Sequence, residues 1–138
     1  MIDNSNRILI NVYGAPRSGS TMLDVMLGAA KGAISLGEVA AWYRIGKFCG
    51  DALAPSDAPP DIRGRWSALE MVSERNFHRR AFDKFDSRVL IDSSKDWYWI
   101  LDVYNKFNAN KFFIVNVVIY RKPLGFAYSN WKRGHEWK

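Results

Sequence analysis

The feature that most constrains the fold of this chain is a glycine-bounded stretch between an apolar run and a helix-like segment. The apolar run covers residues 8–13, and the helix-like segment extends from Met22 to Leu27. Between a strand and a helix, such a loop presents backbone N–H groups and a helix N-terminus to an anion. The sequence therefore predicts a phosphate-binding loop, formed by Gly14, Ala15, Pro16, Arg17, Ser18, Gly19, Ser20 and Thr21.

The loop differs in chemistry from a nucleotidase P-loop, although its spacing is the same. Two glycines enclose four residues, but Ser20 occupies the position of the usual lysine, and the basic group is Arg17 inside the loop. A guanidinium binds phosphate oxygens in a bidentate manner. We expect Arg17, the hydroxyls of Ser20 and Thr21, and the N–H groups from Ser18 to Thr21 to bind the anion.

Length and composition are typical of one folded domain over residues 1–138. Apolar residues make up 48% of the chain, which is enough for a core. The chain has no apolar run of about 18 residues, so no membrane span is expected. Because the first strand is predicted from residue 7, no signal peptide is expected. Cys49 is the only cysteine, which excludes an intrachain disulfide and a multi-cysteine zinc site. A cytoplasmic location is expected.

The net charge of +6 is concentrated at the end of the sequence. A basic segment is compatible with nucleic acid, an anionic surface, a polyanionic small ligand or a solvated helix face. No signature of a DNA- or RNA-binding module is present, so a nucleic-acid partner is not expected. Among the last eighteen residues, Glu136 is the only acidic residue. The basic residues there are Arg121, Lys122, Lys132, Arg133 and Lys138.

Apolar periodicity predicts strands alternating with helices. The strands are predicted at 7–13, 33–36, 88–92 and 111–120, and the helices at 19–29, 39–48, 63–85, 97–107 and 124–133. The Pro-rich residues 50–62 are predicted to form a surface loop or lid. This order favours a three-layer α/β domain of the P-loop type, with a mainly parallel central sheet flanked by helices. The near-continuous apolar run at 111–120 predicts a strand that is buried on both faces.

Helical spacing also predicts which side chains are buried. In the first helix, Asp24 lies off the apolar stripe, and His78 and His135 are expected at the surface. The predicted inward positions are Met22, Leu23, Met26 and Leu27, then Trp66, Leu69, Phe77, Ala81 and Phe85, and finally Trp97, Ile100, Leu101, Tyr104 and Phe107.

Three polar clusters follow predicted strands, which places them at the carboxyl edge of a parallel sheet, where ligands bind. They are the loop at 14–21, the segment from Asp92 to Lys95, and the segment from Arg121 to Ser129. Asp92 also matches the magnesium-binding aspartate of P-loop NTPases in position. Because the P-loop lysine is missing, an anchoring role for Asp92 within its loop is preferred.

Together these clusters resemble the sulfotransferases that use 3′-phosphoadenosine 5′-phosphosulfate (PAPS), over essentially the whole chain. Residues 14–21 resemble the 5′-phosphosulfate loop, and Tyr120-Arg121-Lys122-Pro123 with Ser129 resembles the 3′-phosphate motif. Gly37-Glu38 resembles a segment of tyrosylprotein-type and many bacterial members, and Ser94-Lys95-Asp96 resembles their lysine-containing segment.

The resemblance implies sulfuryl transfer from PAPS to a hydroxyl or amine of a small-molecule or peptide acceptor. It implies that residues 14–21, Arg121 and Ser129 bind PAPS, and that no metal is required. Arg17 would stabilise charge, Glu38 would act as the base, and Lys95 would stabilise the sulfuryl oxygens.

Two other functions remain open at the level of the sequence. The first is a P-loop kinase or NTPase, which the loop spacing and Asp92 favour. The second is a truncated, non-catalytic nucleotide-binding module, because catalytic domains of the family are usually much longer than 138 residues. A fold that normally continues would expose apolar surface here, so self-association is also expected.

Overall fold

The protein is an α/β structure with four strands and five helices in the part of the chain that is described. The computed structural model describes residues 6–45, 69, 72–73, 76–107 and 112–132. The strands are β1 (Ile8–Gly14), β2 (Ala33–Ser35), β3 (Val89–Asp92) and β4 (Phe113–Ile119). The helices are α1 (Ser20–Gly28), α2 (Val39–Ile45), α3 (Phe77–Phe85), α4 (Trp97–Phe107) and α5 (Pro123–Trp131).

All four strands are parallel, in the order β2-β3-β1-β4. Strand β1 pairs with β3 on one side and β4 on the other, so that Asn11 aligns with both Asp92 and Asn116. The carboxyl ends of β1, β3 and β4 therefore lie along one edge of the sheet. The loops that follow these strands are brought together there, as the predicted fold class requires.

Apolar side chains alternate between two faces of the sheet, and each face has its own core. Leu9 and Leu90 pack in one core with side chains of α2, α3 and α4. Val12 and Ile91 pack in the other, against which Leu23 and Leu27 of α1 lie. Helices thus cover both faces of the sheet, and the predicted three-layer arrangement is confirmed.

Helix α1 is rotated relative to the predicted orientation. Met22 and Met26 are 69% and 63% exposed, whereas Asp24 is 1% exposed. The Asp24 carboxylate accepts hydrogen bonds from the hydroxyls of Ser35 (2.8 Å) and Ser93 (3.1 Å). A buried carboxylate is tolerated where donors are available, and the sequence pattern of α1 alone contains no sign of these donors.

Strand β4 is not buried on both faces, so that prediction is wrong. Phe113 and Val118 are 71% and 66% exposed, although every residue of the strand except Asn116 is apolar. Strand β4 lies at the outer edge of the described sheet, paired with β1 alone. An apolar run indicates burial only when elements cover both sides of the strand, and helix coverage of β4 is slight in the described part.

The segment predicted as one long helix, 63–85, is interrupted where the structure describes it. The N–H of Val72 donates to the carbonyl of Leu69 in a turn, and α3 begins only at Phe77. Leu69, Phe77, Ala81 and Phe85 are buried as predicted. Trp66, His135 and the predicted loop at 50–62 lie outside the described residues.

His78 is fully buried, against the expectation of a surface position. Its partner is Asp92, at the end of β3. In α4 the buried face is also shifted from the predicted one: Trp99, Ile100 and Val103 are buried, while Trp97, Leu101 and Tyr104 are 50%, 39% and 44% exposed. The reason is again a polar contact, because the Trp99 indole N–H donates to Asp92 (2.9 Å) and fixes the rotation of α4.

Candidate anion-binding site

The loop at 14–21 is a tight turn held against the end of β4. A side chain at Gly14 would place its Cβ 2.7 Å from the carbonyl oxygen of Ile119, so only glycine fits at this close approach. The N–H of Ser18 donates to the carbonyl of Ala15 (3.1 Å). The Ser18 N–H is therefore bonded within the loop, and its contact with an anion stays a prediction.

The two residues of the loop with left-handed backbone are Arg17 (φ 69°) and Gly19 (φ 101°). Gly19 is the N-cap of α1 and has no side chain that could accept a hydrogen bond from the first turn. No acidic residue lies in that turn. The first N–H groups of a helix have no partner inside the helix. Those of Ser20 and Thr21, together with the positive end of the helix dipole, therefore remain for an anion.

A second group of residues is fixed beside this loop by the ends of β2 and β3. The N–H of Ser93 donates to the carbonyl of Gly37 (2.9 Å), which has a left-handed backbone (φ 66°). This contact brings Glu38 next to Lys95, and the Lys95 ammonium forms an ion pair with the Glu38 carboxylate. The Glu38 side chain is 24% exposed and the Lys95 side chain is 17% exposed, so the pair is partly shielded from water.

Lys95, like Arg17, adopts a left-handed backbone (φ 59°). Such a conformation is unfavourable for residues other than glycine and is concentrated at functional sites. Only one further non-glycine residue of the described chain, Asp86, has positive φ. Two of the three residues that the resemblance assigns to catalysis thus have strained backbones.

Beneath the Glu38–Lys95 pair lies a buried polar network centred on Asp92, which is 1% exposed. One carboxylate oxygen contacts His78 Nε2 (2.7 Å) and accepts the Trp99 indole N–H. The other accepts the backbone N–H (2.9 Å) and the hydroxyl of Ser94. Asp92 therefore anchors its own loop, as the preferred interpretation of the sequence predicted.

The Asp92 network also holds the start of α2. The hydroxyl oxygen of Ser94 accepts the N–H of Ala40 (2.9 Å), one of the helix-start donors that need an external acceptor. Asp96 accepts the N–H of Trp99 (2.9 Å) and pairs with Arg44. Partial burial acts to raise the pKa of Asp96, but these donors outweigh it, and the pKa is lowered from its ordinary value.

Arg121 approaches the anion loop from the end of β4. Its Nη1 donates to the carbonyl oxygen of Arg17 (2.8 Å), so two of the predicted phosphate-binding residues are in direct contact. Ser129 lies on α5, the helix that follows Arg121. The segments that carry Arg17 and Arg121 are brought together because β1 and β4 are neighbours in the sheet.

One cavity of about 970 Å³ joins these groups. Arg17, Glu38, Lys95, Arg121 and Ser129 all line it, as do Pro16, Gly19, Ser20 and Thr21. Gly14, Ala15 and Ser18 are not among its lining residues, and their predicted contact with a cofactor stays a prediction. Ser94 and Asp96 line the cavity beside Lys95, in the segment that the sequence singled out, whereas sequence reasoning missed the contribution of Met22, Val25 and Met26 of α1.

Asp24 is the other residue that the sequence did not indicate. It lies one helical turn after Ser20, beneath the cavity, and is bonded to Ser93. Burial raises the pKa of Asp24 from 3.8 to about 6, a rise that the bonds from Ser35 and Ser93 and the charge of Lys95 only partly offset. Its apolar neighbours in α1 gave no sign of burial.

Comparisons with known proteins bear on the fold alone. No protein-family model matches this chain, and no curated protein does. A solved structure of a Pnkp1/Rnl/Hen1 complex contains a chain that is similar to this one, with a TM-score of 0.51 and 16% sequence identity. The match covers 96% of this chain and 40% of that chain, and it supports the α/β architecture.

None of the described helices is long and apolar enough to cross a membrane. Within the same residues, no group of three or more His, Cys, Asp or Glu side chains is arranged to hold a metal ion.

Proposed function

We propose that the cavity is a PAPS site and that the protein transfers a sulfuryl group to an acceptor hydroxyl or amine. The observation that carries this proposal is the single cavity lined by both Arg17 and Arg121, with Ser129 beside them. A ligand with two separate anionic groups on one nucleotide would use both arginines. The Arg121 contact with the Arg17 carbonyl keeps the two groups within the span of one small molecule.

The residues present suit the two phosphates of this ligand. At the loop, the Arg17 guanidinium, the N–H groups of Ser20 and Thr21 and the dipole of α1 favour a 5′-phosphate. The open space beside Gly19, where an added Cβ would meet no atom within 4 Å, leaves room for it. Arg121 and Ser129 supply a cation and a hydroxyl for the 3′-phosphate.

The Glu38–Lys95 pair fits the chemistry of transfer. When bound, PAPS supplies an activated sulfuryl group whose leaving group is a phosphate. Glu38 lines the cavity as a carboxylate, so it is placed to accept the proton of an acceptor hydroxyl. Lys95 and Arg17 lie on the same cavity and stabilise negative charge on the transferring oxygens and the leaving phosphate.

The competing kinase or NTPase function is less well supported. The strand-end carboxylate that would serve magnesium, Asp92, is buried and bonded to His78, Trp99 and Ser94. Ser20, at the position of the P-loop lysine, is 2% exposed and offers no positive charge. Both features favour a nucleotide bound through arginines.

Calorimetric titration with adenosine 3′,5′-bisphosphate tests the binding site. We expect saturable binding by the wild-type protein that is unaffected by a chelator. Arg17→Ala should weaken it about 10- to 100-fold, because one charge-assisted contact is lost. Lys122→Ala is the control, since it removes a positive charge next to Arg121 in the sequence that does not line the cavity. Magnesium-dependent ATP hydrolysis without bisphosphate binding would favour the NTPase instead.

Transfer from labelled PAPS to a panel of phenols, alcohols and sugars tests the activity. Glu38→Gln should reduce the transfer rate at least about 100-fold while bisphosphate affinity changes little, because general-base catalysis contributes to the rate rather than to nucleotide binding. A wild-type protein that binds the bisphosphate but transfers nothing to any acceptor would instead be a non-catalytic nucleotide-binding module.

A further inference from the structure

The Arg121 guanidinium is held between two backbone segments. On one side its Nη1 donates to the Arg17 carbonyl (2.8 Å). On the other side lies Gly125 in the first turn of α5. A Cβ at Gly125 would lie 3.1 Å from Nε of Arg121 and 3.8 Å from its Cγ and Cζ. The absence of a side chain at 125 therefore creates the seat that the guanidinium occupies.

The carbonyl that accepts this hydrogen bond belongs to the strained residue of the loop. Arg17 has a left-handed backbone (φ 69°), which is unfavourable without glycine. The hydrogen bonds described for residues 15–18 of the loop are the bond from Ser18 N–H to the Ala15 carbonyl and the bond from Arg121 to the Arg17 carbonyl. The second of these ties the loop to the end of β4.

An arginine has five N–H donors in a fixed, planar arrangement. One of them serves the loop, and Arg121 also lines the cavity. The Arg121 side chain thus contacts the backbone of the loop and also faces the space where a second anionic group would bind.

We propose that Arg121, seated by Gly125, is a strut of the anion loop, so that the loop end and the Ser129 end of the cavity form one coupled site. Gly125 is then a positioning residue that acts through Arg121. The identity of the nucleotide in this inference rests on the proposed function, but the strut itself does not. The consequence is that binding at the loop depends on Arg121 even for a ligand without a 3′-phosphate.

Titrations with two nucleotides separate a strut from a plain 3′-phosphate ligand. Ser129→Ala should weaken adenosine 3′,5′-bisphosphate and leave adenosine 5′-monophosphate unchanged. Arg121→Ala should weaken both, the monophosphate by about five-fold or more, within the usual range of site-to-site coupling. Arg121→Ala with unchanged monophosphate affinity would overturn the inference.

Gly125→Ala tests the seat, because its Cβ displaces the guanidinium by a few tenths of an ångström. It should weaken both nucleotides about two- to five-fold, while alanine in a helix stabilises the fold. Leu124→Ala in the same turn is the control, since Leu124 is 83% exposed and does not line the cavity. Equal affinities in Gly125→Ala and Leu124→Ala would contradict the role of Gly125.

Hydrogen exchange of the Ser18 amide in the ligand-free protein provides a test that needs no nucleotide. This amide donates to the Ala15 carbonyl inside the loop. The amide should exchange faster in Arg121→Ala and Gly125→Ala than in the wild type. In Leu124→Ala its exchange rate should equal that of the wild type. If the wild type binds neither nucleotide, the proposed function fails, and the exchange rates still decide the strut: no change in Arg121→Ala would overturn it.

Discussion

The two sides of β1 differ in how they support the same cavity. At one level of the sheet, Asn11 aligns with Asp92 on the β3 side and with Asn116 on the β4 side. Asp92 is 1% exposed and has polar contacts with three residues, whereas Asn116 is exposed and accepts one hydrogen bond from Asn11 (2.9 Å). The β3 side of β1 therefore lies in the protein interior, and the β4 side lies at the protein surface.

This difference in burial separates the residues that line the cavity into two groups. Glu38 and Lys95 lie on the β3 side above a buried polar network, so their positions are linked to the stability of the fold. Arg121 and Ser129, which we propose to bind the ligand, lie on the β4 side, close to water. Substitutions on the first side should therefore change unfolding, and those on the second should change ligand affinity.

The largest expected effect contrasts the two residues that flank Asn11. Asp92→Ala should lower the free energy of unfolding by about 3–5 kcal/mol, because it leaves the buried donors of Trp99 and Ser94 without their acceptor. Asn116→Ala should lower it less, by about 1–2 kcal/mol, because only one donor, the side-chain amide of Asn11, loses its acceptor. Urea denaturation followed by tryptophan fluorescence measures both, and similar losses in the two variants would contradict the contrast.

The next effect compares apolar side chains on the two strands. Leu90 of β3 is fully buried, and Val118 of β4 is 66% exposed. Leu90→Ala should cost about 2–5 kcal/mol through lost burial and a cavity, and Val118→Ala less than about 0.5 kcal/mol. Thermal unfolding of the two variants provides the comparison, which fails if Val118→Ala is the more destabilising.

A smaller effect concerns the pH dependence of stability through Asp24. Its pKa is raised from 3.8 to about 6 in the folded protein, so the folded state binds the proton more tightly than the unfolded state. Its contribution to stability is complete below about pH 4 and is lost as the pH rises through about 6. The expected loss is on the order of 2–3 kcal/mol.

Asp24→Asn should remove this dependence, so the stability of the variant relative to wild type should increase between pH 4 and pH 7. Urea midpoints across that interval measure the difference, and a constant offset from the new amide does not affect it. The exposed Asp86→Asn is the control. Parallel pH profiles of wild type and Asp24→Asn would show that burial of Asp24 has no such consequence.

The smallest effect on folding, but a visible one in solution, concerns the exposed edge. An apolar edge strand is prone to pair with another chain, so we expect the wild-type protein to associate as its concentration rises. Val118→Lys should reduce this association with little change in stability, because a charged side chain on an edge strand opposes pairing. Light scattering over a concentration series tests it, and a wild-type monomer at every concentration would contradict it.

The sequence by itself determined the order of elements and the positions of the polar clusters. Alternating apolar runs and helical periods predict a parallel α/β sheet, and the carboxyl ends of its strands collect Gly14–Thr21, Lys95 and Arg121 at one edge. These inferences succeed because they depend on local patterns and on the geometry of a parallel sheet, in which the carboxyl ends of the strands lie along one edge.

Only the tertiary structure decided which faces are buried. Asp24 and His78 are interior, where Ser35, Ser93 and Asp92, all outside the helices that carry these two residues, supply their hydrogen-bond partners. Strand β4 is exposed because of its place at the edge of the described sheet, a property of the strand order rather than of its residues. The contact of Arg121 with the Arg17 carbonyl spans more than a hundred residues. Burial and long-range hydrogen bonds depend on which segments meet in space, and no local pattern in the sequence contains that information.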